Sequence, residues 1–270
     1  MYAFTLELPS TVADAARLTA AGAKPLAGVQ TLLAAMKLRL ASHEQLVDLG
    51  GIKELSEIRR EGNAFVIGAM ARHADVGQHA ELKASLPALA DLAERIGDRQ
   101  VRAMGTLGGS VANNDPSACY PSAVLALGAT IHTTSRKIAA DDFFQGMFTT
   151  ALNEGELITA ISFPIPKRAA YEKFKQSASR FPLVGVFVAQ FDSGVRVAVT
   201  GAASSVFRHA GLEAALSQSF TPDAAAAVQI DATDLNSDIH GSADYRANLI
   251  SVQTQRATVQ LIRECLQLSA

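Results

Sequence analysis

The segment from Ile96 to Pro121, IGDRQVRAMGTLGGSVANNDPSACYP, carries more polar residues and glycine than core packing explains. At its centre Thr106 and Ser110 flank Leu107 and the adjacent glycines Gly108 and Gly109. Glycine opens backbone angles closed to other residues and lets the main chain approach a ligand closely. The two hydroxyls can donate hydrogen bonds, and successive N–H groups in such a turn can cradle a phosphate. Asn113-Asn114-Asp115-Pro116 then forms a polar turn before the apolar run from Ala123 to Ala129. The whole stretch reads as a binding loop between two helices.

A second candidate is Lys24-Pro25-Leu26-Ala27-Gly28-Val29-Gln30-Thr31, a short strand and a small-residue turn leading into a helix through Leu32, Leu33, Met36 and Leu40. Strand, small turn and helix start together suit a pyrophosphate, because free N–H groups and the helix dipole both favour negative charge. The spacing is not GxGxxG, which argues against a Rossmann dinucleotide site.

The elements that position these stretches follow from period and turn chemistry. Strands are predicted at Phe4 to Leu8, Gln45 to Asp48, Ala64 to Ala69, Ala129 to Thr133 and Leu157 to Phe163. Ser10-Thr11 caps a first helix, His73 starts another, and Leu82 to Ile96 reads as one helix with Pro87 near its beginning. Pro164-Ile165-Pro166 closes the last of these strands and marks a boundary between domains at 1–166 and 167–270. Past it, Ala170 to Gln176, Val184 to Gln190 and Val195 to Thr200 read as strands or a helix between strands. Leu212 to Ser217, Asp223 to Ile230 and Tyr245 to Leu268 read as helices.

Composition narrows the class. At 270 residues with 49% hydrophobic and 19% charged residues, the chain can bury a substantial core. A formal net charge of −2 argues against a general nucleic-acid surface. Cys119 and Cys265 are the only cysteines, too few for a four-cysteine cluster. The six histidines lack HExxH or close pairing, so no metal site is expected. The N-terminus lacks the pattern of a signal peptide and no apolar run is long enough to span a bilayer, so a cytoplasmic protein is expected.

Five ordered motifs covering nearly the whole chain resemble the FAD-binding medium subunit of molybdenum hydroxylases, the xanthine dehydrogenase and carbon monoxide dehydrogenase flavoprotein family. They are LAGVQTLLAAMKLRLA at Leu26 to Ala41, VIGAMARHADV at Val66 to Val76, IGDRQVRAMGTLGGSVANNDPSACYPSAVLALGA at Ile96 to Ala129, GELITAISFPIP at Gly155 to Pro166, and FKQSASRFPLVGVFVA at Phe174 to Ala189. The resemblance implies an α+β chain: a PCMH-type FAD-binding fold of two subdomains plus a C-terminal α+β domain like that of the carbon monoxide dehydrogenase flavoprotein. It implies that Ala27, Gly28, Val29, Gln30 and Thr31, with Thr106, Leu107, Gly108, Gly109 and Ser110, wrap the FAD diphosphate. Ile96 would lie against the flavin nucleotide, and Ile158 and Lys175 would make further contacts. Valine at position 29 departs from the family's AGGQS, and Cys119 stands where an aspartate is common. Asn114 and Asp115 are neighbours able to compensate for that aspartate. For Cys119 itself a small half-buried filler is favoured over a reactive thiol, because no adjacent cation is evident in the sequence.

The implied function is that of an electron exit. A large subunit would carry the molybdenum cofactor and a small subunit two [2Fe–2S] clusters, in a dimer of heterotrimers. Electrons would pass through FAD on this chain to an external acceptor, with no catalytic side chain required. A self-sufficient flavin reductase or oxidase of the same superfamily, and an FAD-free assembly scaffold, are the alternatives.

Overall fold

The computed structural model describes residues 1–268. Its N-terminal layer is a parallel sheet in the order β1-β3-β2, built from β1 (Thr5–Glu7), β2 (Lys24–Leu26) and β3 (Gln45–Asp48). The crossovers are α1 (Val12–Ala20) and α2 (Leu32–Lys37). Thr11 caps α1 as expected, its hydroxyl accepting from the N–H of Asp14. Ala15, Val47, Leu49 and Ile52 form a small core of their own. The second helix is shorter than its period suggested: it stops at Lys37, Arg39 turns to φ 60°, and Leu40 is left 79% exposed.

Next come β4 (Ile58–Glu61), β5 (Ala64–Gly68), α3 (His73–Gln78), α4 (Ala80–Ser85) and α5 (Pro87–Glu94). The expected single helix over 82–96 is therefore two. Leu86 leaves helical geometry at φ −142°, and Pro87 occupies the first turn of α5, where its missing N–H costs nothing.

The expected loop at 96–121 is largely helical, holding α6 (Arg99–Met104) and α7 (Leu107–Asn113) and delivering the chain into α8 (Tyr120–Ala126). The polar residues that suggested a loop are helix caps, since Asp98 accepts from the N–H of Val101 and Thr106 from that of Gly109.

There follow β6 (Thr130–Thr133), β7 (Lys137–Ala139), α9 (Ala140–Phe143), the hairpin strands β8 (Phe144–Gly146) and β9 (Thr149–Thr150), and β10 (Ile158–Pro164). A five-stranded antiparallel sheet, β4-β5-β10-β6-β7, carries α5, α7 and α8 around the main core of Phe65, Ile67, Leu89, Leu107, Val124 and Phe163. Strands β4, β7, β8 and β9 were not expected. They are two to four residues long, and a two-residue period needs more length to show.

The remainder is a four-stranded antiparallel sheet of β11 (Arg168–Lys175), β12 (Pro182–Phe191), β13 (Gly194–Thr200) and β14 (Phe207–Arg208). It is backed by α10 (Ala210–Gln218), α11 (Pro222–Ala226) and α12 (Ala243–Leu268). Of the helix expected over Asp223 to Ile230, only the four residues 223–226 are helical. Helix α12 lies across β11 and β12 and buries Ile250, Ala257 and Leu261 at helical spacing against Val186 and Val188. Arg246, 3% exposed, ties its start to the carbonyls of Leu183 and Gly201. The chain is α+β, as its sequence implied.

Candidate functional site

A cleft of about 800 Å³ runs between the parallel layer, helices α6 and α7, and the start of β10. That is the size range of cofactor sites. Its two sides are the two stretches singled out in the sequence.

On one side, Gly28, Val29, Gln30 and Thr31 lie between β2 and α2, and among the described residues no protein acceptor pairs with their backbone N–H groups. Four consecutive unpaired donors on residues that line a cleft require an acceptor such as water or an anion. Gly28 is pressed against the opposite side: a Cβ there would lie 2.5 Å from the Met104 carbonyl oxygen, 2.6 Å from Gly105 Cα and 2.7 Å from Thr106 N. Only glycine lets the two stretches meet.

Val29 sits at φ 55°, a left-handed conformation costly for a β-branched residue. Val29→Gly is therefore expected to stabilise the FAD-free chain by about 1 kcal/mol and to tighten FAD binding. A thermal melt and a flavin titration check this, and looser binding would show that the valine side chain contributes a contact.

The opposite side works differently from the expected nest of donors. The N–H groups of Leu107 and Gly108 are spent on the carbonyls of Ala71 (3.0 Å) and Ala69 (2.8 Å), and that of Ser110 on the Thr106 carbonyl (3.1 Å). Gly109 N–H reaches the Thr106 hydroxyl oxygen at 3.2 Å. This side therefore contributes the Thr106 and Ser110 hydroxyls and a close glycine surface, and the anion-accepting backbone belongs to 28–31. Leu107 is fully buried and does not line the cleft. Ala27, Ile96, Cys119 and Ile158 all do.

Lys175 does not line the cleft. The register of β11 against β12 shifts between Phe174 and Lys175, and this irregularity breaks the alternation that would have kept Lys175 on the inner face with Tyr171 and Lys173. Lys175 is exposed. Lys173 points inward instead, 8% exposed, its Nζ donating to the carbonyls of Arg95 (2.7 Å) and Arg180 (2.9 Å) and lying 3.6 Å from Cys119 Sγ. Burial holds its ammonium below the usual lysine range, partly opposed by Cys119.

Cys119 thus has the adjacent cation that its sequence neighbours did not reveal. The chain leading into it is held by Thr200, whose hydroxyl donates to the carbonyls of Pro116 (2.9 Å) and Ala118 (2.7 Å). Of the two neighbours able to compensate for the expected aspartate, Asp115 lines the cleft and Asn114 does not. Asn114 Nδ2 is spent on the carbonyls of Gly146 and Thr149, both at 2.7 Å, and Asp115 accepts from the N–H of Ser117.

His73, which the sequence marks only as a helix start, lines the cleft at 5% exposure with Nδ1 unpartnered. Its backbone N–H donates to the Gly105 carbonyl at 2.9 Å, and its ring lies 5.3 Å from that of Tyr120. Burial, assisted by the charge of Arg102, lowers its pKa to about 4. The unfolded chain takes up this proton near 6.5 and the fold does not, so the stability is full above 6.5 and lost as pH falls toward 4. The loss reaches roughly 3 kcal/mol, and urea unfolding of wild type and His73→Gln at about pH 7.5 and about pH 5 should show a smaller acid loss in the variant. Phe148, at φ 53°, and Phe181 are half-exposed aromatic residues on the rim.

The chain is similar to known proteins over nearly its whole length. Residues 2–166 match the family described as the FAD binding domain in molybdopterin dehydrogenase. The carbon monoxide dehydrogenase medium chain of Afipia carboxidovorans is 38% identical over 274 residues, covering 94% of this chain and 95% of that one. Its counterpart in Hydrogenophaga pseudoflava is 34% identical over 273 residues, with 94% and 95% covered. The crystal structure of quinoline 2-oxidoreductase from Pseudomonas putida 86 superposes with a TM-score of 0.90 at 27% identity, over 97% of this chain and 98% of that one. The fold and cleft define a flavoprotein subunit of a molybdenum-containing oxidoreductase. The chain belongs to the FAD-binding medium subunits of the molybdenum hydroxylase family.

Proposed function

We propose that this chain is the electron exit of a heteromeric molybdenum hydroxylase, passing electrons from [2Fe–2S] clusters on a partner subunit through FAD to an external acceptor. The supporting observation is the row of unpaired N–H groups at Gly28 to Thr31, residues that line a cleft of cofactor size together with Thr106 and Ser110. In this reading Ala27 to Thr31 receive the diphosphate, Thr106 and Ser110 supply hydroxyls, and Gly109, whose missing Cβ would lie 3.4 Å from Ala27 Cβ, keeps the two sides close. Ile96 and Ile158 provide apolar surface. Lys173 takes the part implied for Lys175. FAD supplies the redox chemistry, while the protein orients it and limits water.

A large molybdenum-cofactor subunit and a small two-cluster subunit complete the enzyme, as a dimer of heterotrimers in the cytoplasm. Among the described residues no helix is long and apolar enough to cross a membrane. The FAD-binding domain comprises 1–166 and the C-terminal domain 167–270. Adding the substrate of the co-purified large subunit to the assembled complex should bleach the flavin, and the isolated chain should not respond. Turnover of substrate by the isolated chain would overturn the subunit reading.

A further inference from the structure

We propose that Cys119 is a nucleophilic thiol on the floor of the cleft, open to soft electrophiles in the FAD-free chain and covered when FAD is bound. The proposal rests on the FAD reading only for the covering. Three features carry it.

Cys119 lines the cleft although it is 5% exposed, so the cleft is its route to solvent. Lys173 Nζ lies 3.6 Å away, and the other contacts of that ammonium are two backbone carbonyls. Among the described residues Lys173 makes no ion pair, so no carboxylate competes with the sulfur for its charge. The Tyr171 hydroxyl, 1% exposed, lies beside Cys119, and the interaction with it joins burial in raising the tyrosine's pKa. A thiol becomes a nucleophile where a neighbouring cation favours negative sulfur and a path admits the reagent. Both conditions hold here.

With iodoacetamide as probe, the thiol proton leaves to solvent and the sulfur forms a bond to the methylene carbon. The carbon–iodine bond breaks and iodide departs. The ammonium of Lys173 stays protonated and stabilises the attacking sulfur.

The test uses the full chain carrying Cys265→Ser, stripped of FAD, with alkylation followed by intact mass and peptide mapping. Cys119 should label to completion, and saturating FAD should slow labelling by roughly tenfold or more. Lys173→Met should slow labelling of the FAD-free chain by a similar factor, and Lys173→Arg should leave it near the parental rate. Circular dichroism establishes that each variant is folded; if Lys173→Met is not, the parental rates with and without FAD decide alone.

A folded FAD-free chain that labels only in urea would overturn the proposal. So would equal rates with and without FAD when the visible spectrum shows flavin bound. If the spectrum shows no flavin binding, the FAD reading fails, and labelling of the FAD-free chain still decides whether the thiol is reactive.

Discussion

Gly28→Val is expected to yield a folded protein that has lost its flavin. The added side chain would start 2.5 to 2.7 Å from the backbone of Met104, Gly105 and Thr106, and backbone cannot swing aside as a flexible side chain can. The nearest relief is for the 27–31 turn to lift away from α7, which opens the cleft and redirects the donors of Gly28 to Thr31. Such overpacking costs about 1–3 kcal/mol. Taken from cofactor binding, this is roughly a ten- to a hundredfold loss of FAD affinity. The turn lies outside the main core of Phe65, Ile67, Leu89 and Phe163, so urea unfolding of the FAD-free variant should shift far less than its flavin titration. Equal affinity in variant and parent would remove this turn from the site.

Gly108→Val should fail in the opposite way, by losing the fold. The motif alone suggests that valine there would exclude the diphosphate. The structure points the missing Cβ at the protein: 2.5 Å from Ala69 Cβ and 2.8 Å from Ala69 Cα and O, where α7 docks on the end of β5. The Gly108 N–H bond to the Ala69 carbonyl locks that approach. Separating α7 from β5 disturbs Leu107 and Val111 in the main core. A cost of about 3 kcal/mol is a large part of the 5–15 kcal/mol that keeps a domain folded. Urea unfolding of the FAD-free variant should show this loss directly. Unchanged stability with reduced flavin content would return Gly108 to the cofactor.

These two glycines show which parts of the site could be read in the sequence. The 27–31 turn was legible because its chemistry is local: strand, small residues and a helix start lie within a dozen positions. Thr11, as a helix cap, was legible for the same reason. The role of Gly108 depends on Ala69, about forty residues earlier, and nothing local separates a glycine that faces ligand from one that faces a strand.

Lys173 and Lys175 are two positions apart and equivalent to a period of two until a shift in register after Phe174 removes one of them. His73 looked like any isolated histidine, and its burial comes from α6, Gly105 and Tyr120 closing over it. The cation beside Cys119 arrives from 54 residues along the chain, on a strand of the C-terminal sheet. The polar stretch at 96–121 looked like a loop because Asp98 and Thr106 do their capping with the residue types that loops favour.

The central claim is that the cleft between Gly28–Thr31 and Thr106–Ser110 holds FAD. Its most direct test is a titration of the purified, flavin-stripped chain with FAD, followed by the visible spectrum after removal of unbound cofactor. One FAD retained per chain, and loss of that retention in Gly28→Val while the FAD-free fold persists, is the expected result. A chain that stays colourless after exposure to FAD, or a Gly28→Val variant that binds it as the parent does, would contradict the account.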